Sequence, residues 1–151
     1  CAMLTRFADI KSTTEEEADG FYPNVEITTI MNYAFANCDS FTTVTIPATV
    51  TTLGEFVFSS CAKLISANLE NNTLSDGLFA ECEAFTSCYI NPEITAIGAY
   101  AFYNDDNLIH FGFIGEEEDA NGLQLTHKLT TLERMPSIIV TRLVKLNQNI
   151  L

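Results

Sequence analysis

Few residues in this chain have the side chains that catalysis requires. The 151 residues include only two histidines, His110 and His127, which leaves little material for histidine-based catalysis or for a metal site. The sequence contains no Gly-x-Ser-x-Gly, His-Glu-x-x-His or phosphate-loop motif. We therefore expect a protein that is not an enzyme and that carries no cofactor and no metal ion.

Three of the five cysteines are spaced regularly. Cys38, Cys61 and Cys82 are 23 and 21 residues apart, so a chain that winds with this period would stack them. Such a stack could form a disulfide or bind a metal, but three thiols cannot all pair, and the spacing matches no close Cys-x-x-Cys zinc motif. We interpret them as small buried thiols, because free cysteine is among the most buried residue types. The sequence leaves the redox compartment open.

The acidic run GEEEDANG resembles the start of a calcium-binding loop. Glu117, Asp119 and Asn121 precede Gly122 in the order that the ligands of an EF-hand loop precede its glycine. The twelfth position of that loop would be Lys128, a cation where a bidentate glutamate is required. We therefore expect a solvated insertion here and no calcium site.

The composition is that of a packed and strongly acidic chain. An apolar fraction of 47% over 151 residues is typical of one domain with a real core. Twenty acidic against seven basic side chains give a formal net charge of -13. This charge repels phosphate backbones and anionic headgroups, so nucleic acid and acidic membranes are poor partner candidates. No apolar run approaches the roughly twenty residues that a membrane span needs, and we expect none in this chain.

A period of about 23 residues organises the middle of the chain. Phe35, Phe58, Phe79 and Phe102 are separated by 23, 21 and 23 residues, and self-similarity at such an interval is the signature of a solenoid. Apolar columns follow the same interval on both sides of these phenylalanines. The column three residues after each one holds the regular cysteines and, in the fourth copy, Asp105. That carboxylate requires an N–H group or a water beside it, because an unpaired buried charge is costly.

Each copy combines a strand with a return segment. In FTTVTIP, Val44 and Ile46 alternate with threonines, the period of two that turns one face of a strand inward. Similar strands recur after more than a dozen residues, so they should pair in parallel at a spacing of about 4.8 Å, and Pro47 should end its strand. Return segments such as TTLGEFVFSSC place apolar residues near the spacing of one short helical turn. Neighbouring turns must then supply the core.

The third copy departs from the others. It is two residues short and has Asn71 where the other copies have Ile27, Val50 and Ile94. We interpret this segment as a trimmed turn. A glycosylation sequon also begins at Asn71, which matters only in a eukaryotic secretory pathway.

Three stretches closely resemble the BspA-like type of leucine-rich repeat: IGAYAFYNDDNLIHF, LGEFVFSSCAKLISANL and YAFANCDSFTTVTIPATVTTLG. The match covers residues 21–113. The resemblance implies an α/β solenoid, a right-handed leucine-rich repeat superhelix with a parallel β-sheet on the concave face and short helical turns on the convex face. It also implies an extracellular or cell-surface location, because the family is common in surface proteins of bacteria and protists that bind or adhere to host molecules.

Three regions follow from this pattern. Residues 1–20 form an N-terminal cap or linker, residues 21–113 hold about four repeats, and residues 114–151 form an acidic insertion with a C-terminal cap or degenerate repeat. A partner-binding tail is the alternative for the end of the last region. The sequence starts at Cys1, which indicates a fragment or a processed product. Cys1 is either the lipid-bearing residue of a mature lipoprotein or simply the point where the sequence starts.

The winding creates one surface suited to recognition, the outward row of the strands. This row is polar, rich in hydroxyl groups and nearly free of lysine, and Tyr89 adds an aromatic ring with a hydroxyl. We expect a non-catalytic module that uses the row to bind a protein or glycan. The family resemblance implies a role in adhesion, with the extracellular matrix as one candidate source of the ligand. The alternative is a structural spacer in a longer surface protein, without a binding site of its own. The row comprises Thr43, Thr45, Ser66, Asn68, Glu70, Ser87, Tyr89, Asn91 and His110.

Overall fold

The computed structural model of the chain describes residues 20–21, 27–94 and 96–115. The predictions for Cys1, for the N-terminal cap or linker, for the calcium-like run and for the C-terminal cap or tail lie outside these residues. His127 lies outside them as well. The described residues include every member of the predicted recognition row.

Within the described residues, seven short strands form two sheets, and every pairing is parallel. The main sheet has five strands in the order β1, β3, β5, β6, β7, and the second sheet pairs β2 with β4. Consecutive turns of the chain therefore add consecutive strands to the main sheet, as a solenoid requires. The strands are β1 (Gly20–Phe21), β2 (Thr29–Ile30), β3 (Thr43–Ile46), β4 (Thr52–Leu53), β5 (Ser66–Leu69), β6 (Ser87–Ile90) and β7 (His110–Phe113).

The strands of the main sheet turn their apolar residues inward, as predicted. In β3, Val44 and Ile46 are buried and the two threonines are half-buried. Val44 pairs in register with Ala67 of β5, and Ala67 pairs with Cys88 of β6. β3 ends at Ile46, directly before Pro47, which has no N–H group to donate. One apolar column thus crosses the sheet from turn to turn and forms a core that no single turn could bury.

The return segments are hydrogen-bonded turns, and no helix occurs in the part of the chain that the structure describes. The sequence predicted a short helical turn at this place. Each segment instead has two residues with positive φ four positions apart, such as Phe56 at 53° and Ser60 at 55°, and left-handed residues interrupt a right-handed helix. The amides bond to the next turn, as where Phe58 N donates to Leu78 O at 2.9 Å. Hydrogen bonds between successive turns therefore hold this side of the solenoid.

Phenylalanine rings form the centre of the core. Phe58, Phe79 and Phe102 come from three successive turns, are fully buried, and stack with ring centroids 5.9 and 6.0 Å apart. Phe85 packs against Phe79 at 4.9 Å. Such ring contacts stabilise a core beyond the area that they bury. The period of the phenylalanines in the sequence is thus the repeat of one continuous stack.

Successive turns approach so closely at Gly54 that a side chain does not fit. A Cβ atom at this position would lie 2.4 Å from Asn32 N and 2.5 Å from Met31 C. We expect Gly54→Ala to lower the free energy of unfolding by about 1–3 kcal/mol, because backbone atoms of two turns must move apart. Urea denaturation followed by circular dichroism measures this change.

Met31 provides the control for this prediction, because it occupies the position of Gly54 in the preceding copy and is 70% exposed. Met31→Ala should change the free energy of unfolding by less than about 0.5 kcal/mol. If Gly54→Ala is as stable as the wild type, the close approach of the two turns is not needed for stability.

Candidate binding surface

The four longest strands of the main sheet carry their outward positions in two registered rows. Because neighbouring strands lie about 4.8 Å apart, adjacent members of a row can contact one ligand. Seven of the nine predicted residues lie in these rows, and Glu70 and Asn91 directly follow β5 and β6. The first row contains Thr43, Ser66, Ser87 and His110, and the second contains Thr45, Asn68, Tyr89 and Gly112.

The members of the predicted row differ in exposure. Asn68 and Glu70 are exposed, and the other seven residues are half-buried. The hydroxyl oxygen of Thr43 is buried and has no hydrogen-bond partner. Asn68 and Glu70 are thus the side chains that a ligand can reach most easily, while Thr43 offers little.

Tyr89 lies between Asn68 of β5 and Gly112 of β7. Gly112 has no side chain, so the paired position on β7 adds no side chain next to the tyrosine ring. A ring face beside an exposed amide suits a sugar ring or a peptide group, which have an apolar face and polar edges. The sequence analysis did not identify Gly112, although it breaks the alternation of polar and apolar residues in the stretch HFGF.

The side chain of Asn91 connects two loops. Its Nδ2 donates to Glu70 O at 2.7 Å and to Asn72 Oδ1 at 3.1 Å. Its Oδ1 accepts a hydrogen bond from Glu93 N at 2.8 Å. Asn91 therefore positions the ends of β5 and β6, and its polar groups are already engaged within the chain.

The cysteine column bonds each turn to the one before it. Cys61 Sγ donates to Phe35 O at 3.3 Å, and Cys82 Sγ donates to Phe58 O at 3.2 Å. Both are buried free thiols, as predicted. The hydrogen bond with Cys61 and burial both raise the pKa of the Cys82 thiol, which keeps it protonated and unreactive near neutral pH. Cys38 is disulfide-bonded, so the prediction of a free buried thiol was wrong for this member.

Asp105 takes the cysteine position of the fourth turn and is fully buried. Its Oδ1 accepts a hydrogen bond from Cys82 N at 2.8 Å, which is the N–H partner that the sequence analysis required. Its Oδ2 is buried without a partner. Burial raises the pKa of this carboxyl to about 8, and the negative charges of Asp106 and Glu81 add to the increase, although the bond from Cys82 N opposes it. Asp105 is therefore mostly protonated at pH 7.

Asn71 is buried in an otherwise apolar column. Its Nδ2 donates to Thr73 O at 2.7 Å, within the short segment that the sequence analysis interpreted as a trimmed turn. Its Oδ1 is buried and has no partner. Because the amide nitrogen is enclosed and bonded, the sequon at Asn71 is not accessible to glycosylation once the chain has folded.

Two further observations concern the residues that the structure describes. They contain no group of three or more histidine, cysteine, aspartate or glutamate side chains arranged to hold a metal ion. They also contain no helix with the length and apolar character that crossing a membrane requires.

The side of the solenoid formed by the return segments, here called the turn side, carries aromatic residues that the sequence analysis did not single out. Tyr33, Tyr100 and Tyr103 are 59%, 38% and 47% exposed. Tyr33 and Tyr100 belong to a column two residues before each core phenylalanine, which also holds Phe56 and is Gly77 in the third copy, whereas Tyr103 directly follows Phe102. The chain therefore has two faces with surface groups that suit binding.

The fold agrees with the comparisons to known proteins. The model of the BspA type leucine rich repeat region matches residues 21–119 in six copies. A leucine rich cell surface protein from Faecalibacterium prausnitzii A2-165 has a similar structure, with a TM-score of 0.51 and 20% sequence identity, which shows the fold alone. The similarity covers 74% of this chain and 36% of that one, so this chain spans about a third of that protein's length.

No curated protein matches the chain. The family model, in contrast, covers well over half of the 151 residues, and its match includes β2 to β7 and Phe21 of β1. The chain belongs to the BspA-type leucine-rich repeat family.

Proposed function

We propose that this chain is a non-catalytic binding module of a cell-surface protein, and that it binds a protein or glycan through the outward rows of its main sheet. The register that aligns seven polar or aromatic side chains on one sheet face is the observation that carries this proposal. An extracellular location agrees with the cell-surface protein that shares this fold, and a ligand in the extracellular matrix is part of the proposal.

The chemistry of the rows suits a neutral polar ligand. The hydroxyl groups of Ser66 and Ser87 and the amide of Asn68 can each donate and accept hydrogen bonds. Tyr89 adds a large ring whose two rotatable bonds cost little conformational entropy when it is fixed. Sugar hydroxyls and peptide groups offer the matching donors and acceptors. A phosphate ligand fits less well, because the rows contain no lysine or arginine.

The first test is a variant that combines Tyr89→Ala with Asn68→Ala. We expect it to weaken binding by about tenfold or more, because it removes the one aromatic ring and the exposed amide beside it. Binding of the purified 151-residue chain to extracellular matrix proteins and glycans, measured by surface plasmon resonance, identifies the ligand and gives the affinity. Circular dichroism confirms that the variant has folded.

Tyr33→Ala is the matched control, because it truncates an exposed tyrosine on the turn side and should leave this affinity unchanged. If the folded double variant binds as tightly as the wild type, recognition does not occur on the main sheet. If Tyr33→Ala weakens binding as much, the effect of the double variant is not specific to the rows.

A structural spacer is the second candidate function. The half-burial of most row members and the fact that this chain spans only 36% of the similar surface protein both favour it. A spacer predicts that neither the wild type nor the double variant binds any member of the panel. That result would contradict the binding module and would direct attention to other parts of a longer protein.

A further inference from the structure

A groove with a volume of about 320 Å³ opens on the turn side. Its walls include the aromatic rings of Phe56, Tyr100 and Tyr103, and the buried residues Ser59 and Ala80 also line it. None of these residues belongs to the two rows of the main sheet. The groove is therefore a surface separate from the one on which the proposed function depends.

The groove exists because one member of an aromatic column is missing. Tyr33 stacks on Phe56, with centroids 5.4 Å apart and ring planes 8° apart. The next position of the column is Gly77, where a Cβ atom would lie 2.2 Å from the Phe56 ring. The Phe56 ring therefore packs against Gly77, and this position of the column has no aromatic side chain between Phe56 and Tyr100. The gap in the column leaves two aromatic walls facing one space.

Glu81 adds an oriented carboxylate to these walls. It is exposed and lines the groove. Ser60 Oγ donates to Glu81 Oε2 at 3.1 Å, and Glu81 N donates to Tyr103 O at 2.7 Å. The rings of Tyr100 and Tyr103 meet edge to face at 5.8 Å. A hydroxyl donor orients the carboxylate without neutralising it, so the groove combines fixed rings with a negative charge.

The charge around the groove favours a cationic ligand. Lys63 is the one basic side chain among the described residues apart from His110, against nine carboxylic side chains. Asp105 is mostly protonated at pH 7, but the other carboxylates still create a potential that attracts cations and repels anions. The nine are Asp39, Glu55, Glu70, Asp76, Glu81, Glu83, Glu93, Asp105 and Asp106.

We propose that this groove binds the lysine or arginine side chains of a basic protein segment. Ring faces attract a cation that lies within about 6 Å of their centroids. The carboxylate of Glu81 can accept a charge-assisted hydrogen bond from the same group. The apolar stem of lysine or arginine suits the walls of Phe56 and Tyr103, because such stems pack on apolar surface while the charged end stays polar.

The test titrates the 151-residue chain with an end-blocked (Lys-Gly)4 peptide and with the same peptide acetylated on its lysine side chains. NMR chemical shifts or calorimetry report the affinity. We expect the acetylated peptide to bind at least about tenfold more weakly, because it has lost its charges. Glu81→Gln should weaken binding of the lysine peptide about fivefold or more. Tyr103→Leu should also weaken binding of the lysine peptide, whereas Tyr103→Phe keeps the ring and should bind as tightly as the wild type.

Glu93→Gln is the matched control, because it makes the same change in net charge and Glu93 does not line the groove. It should change the affinity by less than about twofold. Equal weakening by Glu81→Gln and Glu93→Gln would overturn the proposal and indicate diffuse attraction to an acidic protein. Equal binding of the two peptides would also overturn it. If the folded Tyr89→Ala, Asn68→Ala variant no longer binds the lysine peptide, the peptide binds on the main sheet, and the proposal is wrong.

Discussion

Phe79→Ala is expected to lower the free energy of unfolding by about 3–5 kcal/mol, the range for removing a buried aromatic ring. Phe79 is fully buried and contacts Phe58, Phe85 and Phe102 with its ring. Its removal leaves a cavity in the middle of the stack. The effect should be large because each turn of a solenoid buries its apolar side only against its neighbours. Urea denaturation followed by circular dichroism gives the change.

Ile65→Ala is the control for this prediction. It also truncates an apolar side chain, but Ile65 is 47% exposed, and the free energy of unfolding should change by less than about 1 kcal/mol. Phe79→Leu should lie between the two, because leucine fills part of the cavity. If Phe79→Ala is no less stable than Ile65→Ala, the phenylalanine stack does not dominate the stability of the described turns.

The strands could be predicted from the sequence because their signal is local and repeated. A period of two along each strand decides which side chains face inward, and Val44 and Ile46 lie where that period places them. The interval between core phenylalanines then fixes which strands are neighbours. Strand order and register both follow from these two periods.

The return segments could not be predicted in the same way. Their apolar spacing is close to that of a helix, but their amides bond to carbonyls of the next turn, and these contacts join residues twenty or more positions apart. Positive φ values at Phe56 and Tyr100 add to the difficulty, since aromatic residues rarely adopt them. The hydrogen bonds between turns offset the cost of that conformation. The spacing of apolar residues within one segment cannot predict such long-range bonds.

The candidate surfaces were predictable only in part, because a side chain's neighbours come from other turns. The sequence placed Tyr89 on the outward face of its strand, but its pairing with a residue that has no side chain depends on Gly112, 23 residues later. The groove on the turn side likewise depends on Gly77 and on rings from the turns before and after it. Both features can be recognised only after it is known which residues of successive turns lie next to each other.

Asp105 is expected to make the stability of the chain fall as the pH rises from about 4 to about 8. Its pKa is raised from 3.8 to about 8 by burial, so within this window the folded chain holds a proton that the unfolded chain has lost. Stability then decreases by about 1.4 kcal/mol per pH unit, or on the order of 4 kcal/mol between pH 4 and pH 7. Below pH 4 both states are protonated, and above pH 8 neither is, so the contribution levels off. Urea denaturation at a series of pH values measures the slope.

Asp105→Asn should remove this slope and stabilise the chain at pH 7. An amide oxygen can still accept the hydrogen bond from Cys82 N, which Asp105 Oδ1 now accepts at 2.8 Å. The amide nitrogen would replace Oδ2, which is buried without a partner. In the two preceding turns a cysteine thiol donates to the carbonyl of a core phenylalanine. By the same repeat we expect the side chain at position 105 to lie near the carbonyl of Phe79, so a neutral amide donor should fit there better than a charged carboxylate.

Asp106→Asn separates this effect from the removal of one negative charge. Asp106 is exposed and adjacent in sequence, and its charge adds less than burial does to the raised pKa of Asp105, so its loss should shorten the window slightly and leave a slope. The neutral thiols of Cys82 and Cys88 and the carboxylate of Glu81, which lie near Asp105, are present in both variants. If the two variants show the same pH dependence, the proton is not held at Asp105. If only Asp105→Asn becomes insensitive to pH, one buried carboxyl in the cysteine column couples the stability of the solenoid to pH.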